Sequence, residues 1–131
     1  MVNGESVNRA HKKLAVWQEA VALATDVYSL TEAFPKSETY GIASQMRRAV
    51  VSVPSNIAEG AARHSSREFA QFLNIAGGSL SELDTQIEIS SNLGYIATDI
   101  KCELEKKVDS ISKKLAGLIN KIREEIKNSE R

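Results

Sequence analysis

Arg47 to Arg63 reads RRAVVSVPSNIAEGAAR, and the fold turns on whether this stretch is one helix. Val50, Val53 and Ile57 recur at spacings of three and four, the period of a helix with one buried face. Pro54 stands in the middle of that run. A proline has no N–H to give the carbonyl of Val50, and its ring crowds the same carbonyl, at a cost of about 3 kcal/mol or more inside a helix. Because the apolar period resumes at Ile57, a bend at Pro54 is expected rather than a break. A bend would free carbonyls near Val50 and Val51. Ser52, Ser55 and Asn56 are short polar side chains able to bond such groups locally. Glu59 stands four residues before Arg63, the spacing of a helical ion pair.

Working outward, three further amphipathic segments flank this one. The first runs from about Lys12 to Ala33. Val16, Ala20, Leu23, Val27 and Leu30 form one stripe, and Leu14, Trp17, Val21, Ala24 and Tyr28 form a second beside it. Two stripes are more than a surface helix needs, so the helix is expected to pack beyond its own subunit. Pro35 then biases Phe34 away from helical angles, and Ser37 is a candidate cap for the second helix, about Glu38 to Ala62. The third begins at Ser65, with Glu68 completing a capping box. Phe69, Leu73, Ala76, Leu80, Leu83 and Ile87 carry its core face, and Gly94 is a natural terminator. The fourth begins at Thr98, a candidate N-cap, and repeats apolar residues from Ile100 to Ile122.

Short links between long helices make neighbours antiparallel. The expected architecture is all-α: a single up-down-up-down four-helix bundle over residues 1–131, with helix two kinked at Pro54 and the ends, about 1–10 and 128–131, frayed. Gly77 and Gly78 interrupt helix three, where each costs roughly 1 kcal/mol relative to alanine. They are expected to permit close packing of another helix. Counted from the centre of the Gly60–Ser66 link, they face Arg48 and Ala49 rather than Pro54.

Apolar residues make up 42% of the 131, enough for one core. No run of 18 apolar residues occurs, so no membrane span is expected. One cysteine, Cys102, rules out an internal disulfide. No charged-then-apolar leader opens the sequence, and cytoplasmic is the expected compartment.

Seventeen Lys and Arg balance seventeen Asp and Glu. The whole-chain charge therefore gives nucleic-acid binding no support. The distribution is uneven: four basic against two acidic residues over 35–64, one against four over 65–95, nine against seven over 96–131. In an antiparallel bundle Lys12, Lys13, Arg63 and Arg67 fall at one end and form a positive rim suited to phosphates. Arg47 and Arg48 are second candidates. Aromatic residues lie on apolar stripes, so base-specific readout of single strands is not expected.

Signals for catalysis are weak. His11 and His64 lack the acidic residue three positions earlier that di-metal bundles use. AGGS (76–79) has no preceding strand and no following Gly-Lys-Ser/Thr, so it is not a phosphate loop. Neither metal nor cofactor is expected, and no residue is singled out as catalytic.

LAVWQEAVAL (14–23), FPKSETYGIASQMRRAVVSVPSNIAEGAAR (34–63) and SSREFAQFLNIAGGSLSELDTQIEISSNLGYI (65–96), in this order, resemble the four-helix-bundle family of 23S rRNA intervening-sequence proteins. A relative of that family is the accessory variability protein of diversity-generating retroelements, a similar bundle. The resemblance implies a non-enzymatic homopentamer, with weak, non-specific RNA or DNA binding through the rim and a protein partner such as a reverse transcriptase. Two alternatives stand beside it. One is a protein-interaction scaffold with no nucleic-acid role. The other is a small-ligand binder using the polar group near Asn56 and Glu59.

Overall fold

In the computed structural model of the chain, which describes residues 10–130, four helices follow one another. They are α1 (Ala15–Glu32), α2 (Ile42–Ala61), α3 (Ser66–Asn92) and α4 (Thr98–Ser129). Short 3₁₀ helices at Ala10–Lys13 and Lys36–Glu38 precede α1 and α2. No strand occurs among the described residues. The frayed N-terminal stretch expected up to residue 10 lies almost wholly outside the described residues. At the other end α4 continues to Ser129, past Lys127 where the sequence reading stopped it.

Each helix contributes one apolar stripe to a common core. Leu23, Val27, Met46, Val50 and Ile57 meet Leu73, Leu83, Ile87 and Ile111 with essentially no solvent exposure. Each such aliphatic side chain contributes roughly 1.5–3 kcal/mol on burial. α2 runs unbroken through Pro54, which is itself buried. α2 packs most extensively on α3, and α1 against α4 most sparsely of the neighbouring pairs.

Several helix ends follow the sequence. Ser65 accepts a 3.1 Å hydrogen bond from the Glu68 amide, and Gly94 takes the left-handed φ of 80° that ends α3. Two caps differ. Ser37 lies within the 3₁₀ turn, and the Glu38 carboxylate instead accepts the Ile42 amide at 3.3 Å. The same carboxylate accepts the Tyr95 hydroxyl at 2.8 Å, so it ties the α1–α2 link to the α3–α4 link. Thr98 is the first residue of α4, whose N-cap is Ala97 without a side-chain bond.

The close approach expected at Gly77 and Gly78 is absent within the subunit. A Cβ at either would meet nothing within 4 Å. Gly78 is exposed on the outside of α3, and Gly77 is half-buried at the edge of the core stripe of Leu73, Ala76 and Leu80. The glycine that does permit close packing is Gly60. A Cβ there would stand 2.8 Å from Phe72 Cβ and 2.9 Å from Phe69 Cδ1.

The register also differs from simple counting. Ser52 Oγ and Ser79 Oγ lie 2.8 Å apart, so these two residues are level across α2 and α3. Pro54 is therefore level with Gly77. Counting from the link's centre misses this, because level residues of α2 and α3 are centred between Ser65 and Ser66, at the start of α3.

Candidate interaction surfaces

The positive rim forms only in part. The 3₁₀ turn Ala10–Lys13 leads into α1 and contacts α2, so Lys12 and Lys13 come to the end where α2 turns into α3. Both are exposed, and neither has an ion-pair partner among the described residues. Arg63 pairs with Glu59 at 3.2 Å, as their spacing predicts, and lies 4.8 Å over the Phe72 ring. Arg67 pairs with Glu130 at the end of α4. Two of the four rim cations thus already face carboxylates.

Arg47 and Arg48 lie far from this rim. Fifteen residues separate Arg47 from Ala62, about 22 Å along a helix. Arg47 is held by α1: Nε donates to Thr31 Oγ1 at 2.8 Å, Nη2 to the Tyr28 carbonyl at 3.2 Å and to Glu32 at 2.9 Å. Its guanidinium also covers the Tyr28 ring at 4.5 Å. This is a clamp between α1 and α2, not an open phosphate contact. Arg48, its neighbour, is exposed and without an ion-pair partner among the described residues.

The polar group beyond Pro54 is internal to the bundle's surface. Asn56 Nδ2 donates to the Ser52 carbonyl at 2.8 Å and to Ser52 Oγ at 2.9 Å. Ser52 Oγ in turn meets Ser79 Oγ. The amide therefore bonds Ser52 rather than the Val50 or Val51 carbonyls, and the three side chains stitch α2 to α3. Glu59 points to solvent with Arg63 and is no part of this chain of bonds.

An apolar groove lies on the opposite flank of α2. Val21, Ala24, Thr25 and Tyr28 of α1 and Val51 and Pro54 of α2 line about 370 Å³. Val21 is 38%, Tyr28 44% and Val51 41% exposed. The α1 residues belong to the second stripe of helix one, whose Leu14, Trp17 and Ala24 pack partly against the core. Val51 went unnoticed in the sequence because the run VVSVP offers several valines and only the fold tells which face outward. Tyr40 was also missed; it is 97% exposed and edges a second groove of about 460 Å³ beside Lys36 and Arg47.

Along the α1–α4 seam the contacts are polar. Lys107 bonds Asp26 at 2.7 Å, while Lys114 and Ser110 both bond Glu19, the serine at 2.6 Å. The bonds from Lys114 and Ser110 hold the Glu19 carboxyl below its ordinary value against a smaller opposing effect of burial. The bond to Asp26 raises the Lys107 ammonium in the same way. Among the described residues no three His, Cys, Asp or Glu gather where they could hold a metal ion. No helix among them is long and apolar enough to cross a membrane.

Residues 12–117 match the family model described as "23S rRNA-intervening sequence protein". A crystal structure of a protein of unknown function from the S23 ribosomal protein family of Bacteroides thetaiotaomicron VPI-5482 is similar in fold. It is 22% identical, covers 80% of this chain and 98% of its own, and superposes with a TM-score of 0.75. Among curated proteins, none matches the sequence.

Proposed function

We propose that this chain, which belongs to the 23S rRNA-intervening sequence protein family, is a non-catalytic cytoplasmic protein that assembles with copies of itself into a homopentamer and serves as a scaffold. One observation carries the reading. The α1/α2 groove leaves Val21 and Tyr28 of α1 and Val51 of α2 exposed together, and no residue lining it carries a charge. Apolar clusters of this kind on a soluble bundle mark sites that another protein covers. The test is light scattering at micromolar concentration. A mass well above 14.3 kDa is expected, and a 14.3 kDa particle would refute it.

Contact with RNA or DNA is a second reading, favoured by Lys12 and Lys13 standing at the rim without an ion-pair partner among the described residues. Each neutralised phosphate adds only about 0.9 to the salt slope on duplex DNA. A single subunit is thus a weak binder, and repetition around an assembly raises affinity by roughly 10²–10⁴ where the geometry permits. Titration with structured RNA and with duplex DNA at two salt concentrations tests it. Binding is expected only at low salt, and Lys12→Glu with Arg63→Glu abolishes it while the assembly mass stays unchanged. A protein partner such as a reverse transcriptase belongs to the same scaffold role. The small-ligand alternative is disfavoured, since Asn56 commits its amide to Ser52 and Glu59 faces Arg63.

A further inference from the structure

We propose that the self-association surface has two unlike halves: a second copy lays the outer stripe of its α3, Ile75, Gly78 and Glu82, into the α1/α2 groove of the first. This rests on the self-association proposed above and names the surfaces that carry it.

Charge is absent from both halves at one height of the bundle. Ala49 to Ala58 of α2 and Phe69 to Ser81 of α3 contain no ionisable residue, and neither does Ala20 to Thr25 of α1. α4 carries charges along its whole length. Interface cores are depleted in charge in this way. Within the uncharged part of α3, Ile75 is 52% exposed, and the exposed Gly78 presents bare backbone one turn further on. A projecting isoleucine beside bare backbone is the shape that enters a groove edged by Val21, Tyr28 and Val51 and floored in part by Pro54.

Two different patches that recognise each other join copies head to tail, and rotation closes them into a ring. If the ring axis runs along the bundle, every residue keeps its height from copy to copy. Levels within one subunit then tell which residues meet between subunits. The Ser52–Ser79 bond makes Pro54 level with Gly77 and Val51 with Leu80. Val21 and Pro54 line the same groove across α1 and α2, which puts them at nearly one height. Gly78 thus comes opposite the groove's floor, and Ile75 reaches its Val21 end. One turn away, Arg48 is level with Leu83 and so beside Glu82. Both Arg48 and Glu82 are exposed, and neither has an ion-pair partner among the described residues. The apolar match and the charge match therefore hold in the same register, and the second follows without adjusting the first.

The experiment measures mass by light scattering and helicity by circular dichroism for the full chain. Val51→Glu and Gly78→Glu replace outward-facing groups, so each is expected to stay helical and fall to 14.3 kDa. Arg48→Glu and Glu82→Arg are each expected to weaken assembly, and the double variant to recover it. A monomeric wild type overturns self-association itself. An oligomeric wild type whose mass survives both Val51→Glu and Gly78→Glu overturns the surface while leaving self-association standing. A double charge variant as weak as its parents overturns the register. Should Val51→Glu lose helicity, Thr25→Glu at the same groove decides in its place.

Discussion

Gly60→Ala should destabilise the protein although it removes a glycine from a helix. Alanine ordinarily gains about 1 kcal/mol over glycine in a helix interior. At Gly60 the added methyl would stand 2.8 Å from Phe72 Cβ, 2.9 Å from Phe69 Cδ1 and 3.2 Å from the Phe69 carbonyl oxygen. Two of those three atoms belong to the start of a side chain or to backbone, so α2 and α3 must move apart there. Overpacking of this kind costs about 1–3 kcal/mol. The contacts at Gly60 are among the tightest that a Cβ can meet, so the upper part of that range applies. The net loss is then about 1–2 kcal/mol. Gly117→Ala is the matched control, because it too lies inside a helix but a Cβ there meets nothing within 4 Å. It should gain the full propensity of about 1 kcal/mol. At roughly 2.1 cal/mol/K per residue, the 131 residues unfold with about 0.28 kcal/mol/K. Gly60→Ala should therefore lower Tm by about 4–7 °C, and Gly117→Ala should raise it by about 3–4 °C. Differential scanning calorimetry at one protein concentration reads both. Equal shifts of the same sign would refute the close approach of α2 and α3 at Gly60.

Acid should loosen the α1–α4 seam first. The folded Glu19 carboxyl lies below its ordinary 4.5, so its contribution is complete above that pH and is lost as pH falls through the lower folded value. Glu19→Gln should remove this part of the acid sensitivity, which a denaturation series from pH 6 to pH 3 would reveal. Leu83→Ala in the centre of the core should cost about 2–5 kcal/mol in urea denaturation; a cost below 1 kcal/mol would contradict its full burial. Arg47→Met keeps length but loses the bonds to Thr31, Tyr28 and Glu32, and should destabilise without changing low-salt nucleic-acid binding. We propose that α2 bends at Pro54. Residual dipolar couplings should give different axes for residues 42–53 and 55–61, and one common axis would remove it.

The architecture was legible because it is written in periods. Spacings of three and four place four helices, and Ser65 and Gly94 mark two of their ends with side-chain and backbone chemistry that few other residues supply. The surfaces were less legible for a physical reason. A sequence shows how many charges a segment carries, not which of them are already satisfied. Arg67 meets Glu130 from the far end of the chain, and Arg47 meets Glu32 across a link, so two of six candidate cations were removed by partners that no local spacing announces. Arg63 was the exception, since its partner lies four residues away on the same helix. The glycines illustrate the converse. Gly60, at the end of the apolar run and beside a link, looked unremarkable, yet it is the one pressed against a neighbour. Gly77 and Gly78 looked like a packing device, yet a Cβ at either would meet nothing within 4 Å.

The sparse α1–α4 seam has a kinetic consequence. Outside the shared core its edge is closed by Lys107–Asp26 and by Glu19 with Ser110 and Lys114, beside two grooves of about 160 and 340 Å³. Ion pairs at partly exposed sites are weak and are screened by salt. α1 packs on α4 more sparsely than any other neighbouring pair packs, so opening there is the least costly way for the bundle to breathe. Amide exchange should accordingly show α1 and the facing half of α4 opening together on a faster clock than α2 and α3. The rate should rise with ionic strength, while the pair of helices stitched by Ser52, Asn56 and Ser79 remains closed.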